Sequence, residues 1–259
     1  MTAPTSRARF SQPVPGVYRL GDTAVNFYVI DHGDRLVLVD AGLPAHRSQL
    51  DGLLSQLGRR PSDISAVLIT HAHPDHLGLA ARLQADGAEI WVHQADQAAL
   101  ADPRHATRYA KPERALLPYL LRRPAALALP LHLARSGAFG EEPVTTPRVF
   151  AARGELAGVP GGPEAIPVPG HTPGSAAFAW AAHGAVFTGD ALITADGLTG
   201  GTGPRLVSRG FTHDSAAALS SLEILAGLAD YQVLLPGHGD PVMTGVADAA
   251  REARLVPVG

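Results

Sequence analysis

Hydrophobic residues in this chain fall into short runs divided by polar breaks. In the first third, Gly16 to Leu20, Ala24 to Ile30 and Arg35 to Val39 predict three strands, with Asp31-His32-Gly33-Asp34 as a hairpin turn. Asp40-Ala41-Gly42 ends the third strand, and Pro44 to Leu57 has helical spacing. The apolar run Ala66-Val67-Leu68-Ile69-Thr70 predicts a buried strand, followed by a helix from His76 and a strand over Glu89-Ile90-Trp91-Val92. After residue 163 the pattern resumes, with strands near 164–168, 175–182 and 185–188 and a helix at roughly 214–229. A strand at 232–235 and a terminal helix near 246–254 close the chain. Strands in both halves, with helices between them, predict an α/β fold of two sheets with helices outside.

Residues 103–150 break this pattern. The segment holds eight basic residues, several prolines and the apolar clusters Leu116-Leu117, Tyr119-Leu120-Leu121 and Leu127-Ala128-Leu129. It reads as a helical insertion in a single domain spanning 1–259. Leu116, Leu120, Leu121 and Leu127 either dock the insertion, form a homodimer contact or line a hydrophobic lid over a pocket. Tyr109, Tyr119, Arg108 and Arg122 are candidate substrate contacts, with a docking face as the alternative.

Composition narrows the function. With 46 % hydrophobic and 17 % charged residues, 259 residues suffice for a sizeable core. A formal charge of −3 argues against a general nucleic-acid binder. The absence of cysteine excludes disulfides, thiolate zinc sites and cysteine nucleophiles. The first ten residues lack the apolar core of a signal peptide, and no run approaches the ~18 apolar residues of a membrane span. The expectation is a cytoplasmic protein acting on a small molecule, without membrane or nucleic-acid partners.

The hexapeptide His71-Ala72-His73-Pro74-Asp75-His76 carries the chemistry. Neutral imidazoles and carboxylates are the nitrogen and oxygen ligands of zinc and similar divalent metals. In a strand-like stretch, His71 and His73 share a side and can converge on one ion. Pro74 delays the helix, Asp75 takes the N-cap position, and His76 points the other way, toward a second metal. Three further strand ends place a metal-capable side chain beside glycine: Gly170-His171, Gly189-Asp190 and Gly237-His238-Gly239. His213, in Phe211-Thr212-His213-Asp214, is a candidate for polarising substrate, with a capping or surface role as the alternative. His93, His105, His132 and His183 read as structural.

In their order, Val39-Asp40-Ala41-Gly42, Thr70 to His76, Gly170-His171-Thr172-Pro173-Gly174, Thr188-Gly189-Asp190 and Gly237-His238-Gly239 resemble the five motifs of the metallo-β-lactamase-fold hydrolase superfamily. The resemblance implies a four-layer αβ/βα sandwich with two divalent metals, zinc before iron or manganese, at one edge between the sheets. It implies that His71, His73 and His171 bind one ion, that Asp75, His76 and His238 bind the other, and that Asp190 bridges them. Asp40 would steady the ligand loops. A bridging aspartate is similar to the glyoxalase II and lactonase branch. About twenty residues follow His238, so the expectation is that the C-terminal glutathione domain of glyoxalase II is absent. Acyl-homoserine lactonases carry tyrosine where this chain has Ile193, which weakens that reading. The resulting expectation is a binuclear hydrolase of an ester, thioester or lactone with a lipophilic acyl or aromatic part. Its nucleophile would be a metal-bound hydroxide, oriented by the catalytic residue Asp75. The alternatives are a mononuclear-iron persulfide dioxygenase and a non-catalytic metal-binding scaffold.

Overall fold

A computed structural model describes residues 10–103, 108–140 and 142–259. Strands β1 (Ser11–Val14), β2 (Val17–Gly21), β3 (Asn26–Asp31) and β4 (Leu36–Val39) form an antiparallel meander. Beyond β4 the sheet continues in parallel through β5 (Ile64–Leu68), β6 (Glu89–His93) and β7 (Arg148–Phe150), giving seven strands. The second sheet has five strands in the order β14-β11-β10-β9-β8. These are β8 (Gly154–Glu155), β9 (Glu164–Pro167), β10 (Ala176–Trp180), β11 (Ala185–Gly189) and β14 (Val233–Pro236). A separate ribbon pairs β12 (Ile193–Ala195) with β13 (Thr202–Arg205).

Period-two alternation assembles the layers. Tyr28, Ile30, Val37 and Val39 face inward against Phe178, Trp180, Phe187 and Leu235 of the second sheet. Their neighbours Phe27, Val29, Leu36 and Leu38 face outward against α1 (Arg47–Leu57) and α3 (Ala80–Ala85). The outer face of the second sheet packs Val186 and Leu234 on Leu222 and Leu225 of α7 (Ser215–Ala226) and Ala250 and Ala253 of α8 (Val246–Arg254). The order is therefore helix, sheet, sheet, helix. Strands covered on both faces read as unbroken apolar runs. Each fully buried Phe or Leu contributes about 1.5–3 kcal/mol.

Two local expectations change. The helix expected from His76 is split into α2 (Pro74–Leu77) and α3, because Gly78 is held against the Ala41–Leu43 loop. Its N–H donates to the Gly42 carbonyl, and an added Cβ would lie 2.5 Å from Leu43. Within 103–150, helices α5 (Leu117–Arg122) and α6 (Ala128–Arg135) follow α4 (Gln97–Ala101), but Arg148–Phe150 is strand β7 of the main sheet. That strand is too short and exposed to show in its own apolar content. Among the described residues, no helix is long and apolar enough to cross a membrane.

Gly170 sets the turn that carries His171. Its φ is +141°, and a Cβ there would lie 2.2 Å from the Ala218 nitrogen in α7. Gly170→Ala combines backbone strain with a backbone clash, so an expected loss of about 2 kcal/mol or more follows. For a domain this size the melting temperature should fall by about 4–8 °C. An unchanged melting curve would show that α7 yields freely.

Candidate metal centre

The site lies where strands of both sheets end. His71 and His73 follow β5, with His73 as the N-cap of α2, in extended conformation at φ −85° and ψ 151°. Pro74 takes the first helical position, where its fixed φ fits, so Asp75 sits in the first turn and not at the cap. His171 lies in the turn after β9, Asp190 follows β11, and His238 follows β14. Gly237 admits this approach, since a Cβ would lie 2.4 Å from Asp190 Oδ1.

Three imidazole nitrogens crowd together. His171 Nε2 is 3.1 Å from His71 Nε2 and 2.9 Å from His73 Nδ1. A triangle of ring nitrogens cannot be satisfied by protons alone, because a neutral imidazole has one N–H for two ring nitrogens. Asp190 stands beside it. Its Oδ2 lies 3.4 Å from His171 Nε2, 3.9 Å from His71 Nε2 and 3.0 Å from His238 Nε2, and its Oδ1 lies 3.5 Å from His76 Nε2. Asp75 Oδ2 is 3.7 Å from His76 Nε2 and 3.5 Å from His238 Nε2. Three overlapping groups could each hold an ion: His71, His73 and His171; His71, His76 and Asp190; and Asp75, His76 and His238.

Surrounding groups fix the tautomers. Asp40 is buried at φ +59°, a left-handed conformation that aspartate tolerates better than most residues. Its carboxylate accepts the Thr70 N–H and hydroxyl and lies 2.8 Å from His76 Nδ1. His76 Nδ1 therefore carries a proton, so that when the ring is neutral its lone pair is on Nε2, inside the site. The Thr70 hydroxyl, having donated to Asp40, accepts from His71 Nδ1 at 3.1 Å, with the same result for His71. His238 Nδ1 donates to the Ala24 carbonyl. Asn26 braces that turn through the carbonyls of Pro236 and Gly239, and Tyr28 Oη donates to Pro236.

The residues fit divalent metals on three counts. His76 Nε2 and Asp190 Oδ1, both aimed into the cluster, are buried without a hydrogen-bond partner, which is costly in a cation-free site. The donors are nitrogen and carboxylate oxygen only. Burial, reinforced by neighbouring histidines, drives His71 and His171 far below the ordinary histidine range, so both are neutral donors. In the other half burial also opposes charge. There the carboxylates win: Asp40, Asp75 and Asp190 raise His76 to about 9, and Asp190 and Asp75 raise His238 to about 10. Burial works against ionised Asp190, but His238 and His76 hold it well below the usual carboxylate range.

Below about 9, then, protons on His76 and His238 stand where a cation would. Loading at pH 7 must displace them, roughly one from each ring. Apparent affinity should rise with pH up to about 9–10. Calorimetric titration in buffers of different ionisation enthalpy measures the release; buffer-independent heats would refute it.

Other candidates fall outside this cluster. His213 is exposed, and its Nδ1 lies 3.0 Å from the Lys111 carbonyl, while its N–H donates to the His171 carbonyl. Its Nδ1 is thus engaged by the insertion, and it is not among the seven side chains that cluster. Leu116 and Leu120 pack with Tyr119, Ala126, Leu198 and Phe211, whereas Leu121 and Leu127 are exposed. Tyr119 Oη donates to the Gly259 carbonyl, and Tyr109 and Arg108 lie near Asp102. Arg122 is exposed. His93 contacts Phe150, His183 contacts His32, and His132 pairs with Asp22. His105 lies outside the described residues. Asp96, a buried carboxylate bonded to both histidine loops, also belongs to the site, and no nearby motif marks it in the sequence.

The profile of the metallo-beta-lactamase superfamily matches residues 20–238. The chain belongs to this superfamily. Among its relatives is the uncharacterized protein YobT of Bacillus subtilis (strain 168), 28 % identical over 220 residues and covering 83 % of each chain. The hydroxyacylglutathione hydrolase GloC of Haemophilus influenzae is 28 % identical over 221 residues, covering 83 % of this chain and 85 % of the relative. A di-iron-bound structure of TTHA1623 superimposes with a TM-score of 0.61 at 25 % identity, over 92 % of this chain and 98 % of that one. These likenesses agree with the metallo-β-lactamase four-layer fold described above.

Proposed function

We propose that the protein is a binuclear metal-dependent hydrolase of a carboxylic ester, thioester or lactone. The observation that most supports this is Asp190, whose carboxylate lies within 4 Å of ring nitrogens from both halves of the cluster: Oδ2 beside His71, His171 and His238, and Oδ1 beside His76. His71, His73 and His171 would hold one divalent ion and Asp75, His76 and His238 the other, with Asp190 shared. Bound ions, zinc before iron or manganese, supply Lewis acidity and lower the pKa of water toward neutrality. The protein's own residues fix the donors and manage protons. Asp40 and Thr70 hold the tautomers of His76 and His71. Asp75, more open than Asp190, would orient a nucleophilic water and take up its proton. The likeness to a hydroxyacylglutathione hydrolase favours transfer of an acyl group to water.

The insertion meets both sides of the ligand set. The Lys111 carbonyl reaches His213 beside the His171 turn, and His132 of α6 pairs with Asp22 in the loop whose Ala24 carbonyl holds His238. Leu117, Leu121, Leu127 and Leu131 on the insertion are exposed, which supports a substrate with a lipophilic acyl or aromatic part. A homodimer contact is the competing use of this face. Leu121→Glu should raise KM for long acyl chains, spare short ones and leave the melting curve unchanged. Leu120→Glu, in the packed cluster, should lower stability instead. Equal effects of Leu121→Glu across a chain-length series, or a change in oligomeric state, would remove the lid.

The deciding experiment for the function is metal analysis joined to a screen of esters, thioesters, lactones and β-lactams. Two ions per chain with hydrolysis is the expected result. One iron per chain with oxygen uptake on a persulfide would replace this reading with the dioxygenase. Bound metal without turnover of any class would leave a scaffold protein.

A further inference from the structure

We infer that Asp96 is a positioning residue for the three-histidine half of the centre, an inference that rests on the metal-site reading above. Asp96 closes the 3-10 turn Gln94–Asp96 after β6 and is 3 % exposed. Its Oδ2 accepts the Ala72 N–H at 2.9 Å and the Thr172 hydroxyl at 2.7 Å, and its Oδ1 accepts the Gly174 N–H at 2.7 Å. Ala72 separates His71 from His73, and Thr172 follows His171. One carboxylate thus ties the loop after β5, in the seven-stranded sheet, to the turn after β9, in the five-stranded sheet. Those are the segments whose three histidines meet nitrogen to nitrogen.

Two features point beyond a simple clamp. All three donors to Asp96 are neutral, and its charge acts on His73, one of the three histidines. A buried carboxylate without a cation is unfavourable unless a positive charge lies nearby. An ion held by His71, His73 and His171, on the loops Asp96 grips, would be that charge. The turn is also shaped for the carboxylate: a Cβ on Gly174 would lie 2.5 Å from Asp96, so a larger residue would push it away. Thr172 is held from the other side by Ser175, whose hydroxyl lies 2.9 Å from the Thr172 hydroxyl.

The test is zinc titration of the chelator-stripped full chain by calorimetry, beside a melting curve of the zinc-free protein. The step belonging to the three histidines is identified as the one lost in His171→Ala. In Asp96→Asn that step should weaken at least about tenfold, as for other groups that orient ligands, while the other step stays within about threefold. An unchanged step would overturn the inference. So would equal weakening of both steps with a lowered melting temperature, which would make Asp96 a sheet-to-sheet clamp only. If Asp96→Asn does not fold, Thr172→Val removes a single bond to the same carboxylate. It should weaken the same step by a few-fold, and no change there would equally overturn the assignment. A wild-type chain that binds no zinc, iron or manganese would instead fail the metal-centre reading itself, a result distinct from the variant comparison.

Discussion

Asp190→Asn should reduce bound metal from two ions per chain to one or fewer and lower hydrolysis by on the order of a thousandfold. Asparagine has nearly the same shape, so it should fit beside Gly237, where an added Cβ would lie 2.4 Å from Asp190 Oδ1. What changes is charge. Asp190 is the carboxylate that lies within 4 Å of His71, His76, His171 and His238. Its negative charge is the main influence that raises His238, adds to those of Asp40 and Asp75 in raising His76, and would offset two cations in the loaded site. The variant should still fold, with His238 shifted most toward neutrality. Elemental analysis and a rate measurement on the same sample check both halves. Retention of two ions would show that Asp190 does not bridge, and full turnover with one ion would favour a mononuclear centre.

The parts of this fold that sequence exposes are those covered on both faces. Strands β3, β4, β5, β10, β11 and β14 are nearly all buried, and each reads as an apolar run. Helix α8 is legible too, because its alanines and Val246 form one buried stripe against a charged face. By contrast, β1, β7 and β13 have exposed or half-buried residues, and their neighbours define them more than their own composition does. The split of α2 from α3 depends on Gly78 meeting Leu43, a tertiary contact that helical periodicity cannot contain.

The site divides in the same way. His71 to His76, His171, Asp190 and His238 stand out because polar, metal-capable side chains interrupt apolar runs beside glycine. Their supports do not stand out. Asn26 reaches Pro236 across 210 positions, and Asp96 reaches Thr172 across 76. Each is an ordinary polar residue until the sheets are stacked. His213 is a related case: the sequence marks it as a candidate for polarising substrate, and the contact of its Nδ1 with the Lys111 carbonyl of the insertion is visible only in the fold.

Asp75→Asn separates chemistry from architecture more cleanly than any other substitution in the cluster. Asp40 and Asp96 each accept bonds from backbone N–H groups and side-chain hydroxyls, so their loss disturbs loops. The Asp75 side chain makes no hydrogen bond among the described residues; its nearest charged partners are His76 and His238 at 3.7 Å and 3.5 Å. Its side chain is 13 % exposed, against 5 % for Asp190, which leaves it on the accessible side of the cluster. The proposed role is to help hold an ion and to orient and deprotonate the attacking water, and asparagine keeps the first in part and loses the second. Turnover should fall by at least about a hundredfold. The melting temperature of the metal-free chain should stay within a few degrees, since one exposed-side charge is removed from near two histidines. Reduced activity that is restored by added metal would reassign Asp75 as a ligand alone. Near-wild-type hydrolysis without added metal would remove it from the mechanism and shift the proton-handling role to another group at the mouth of the site.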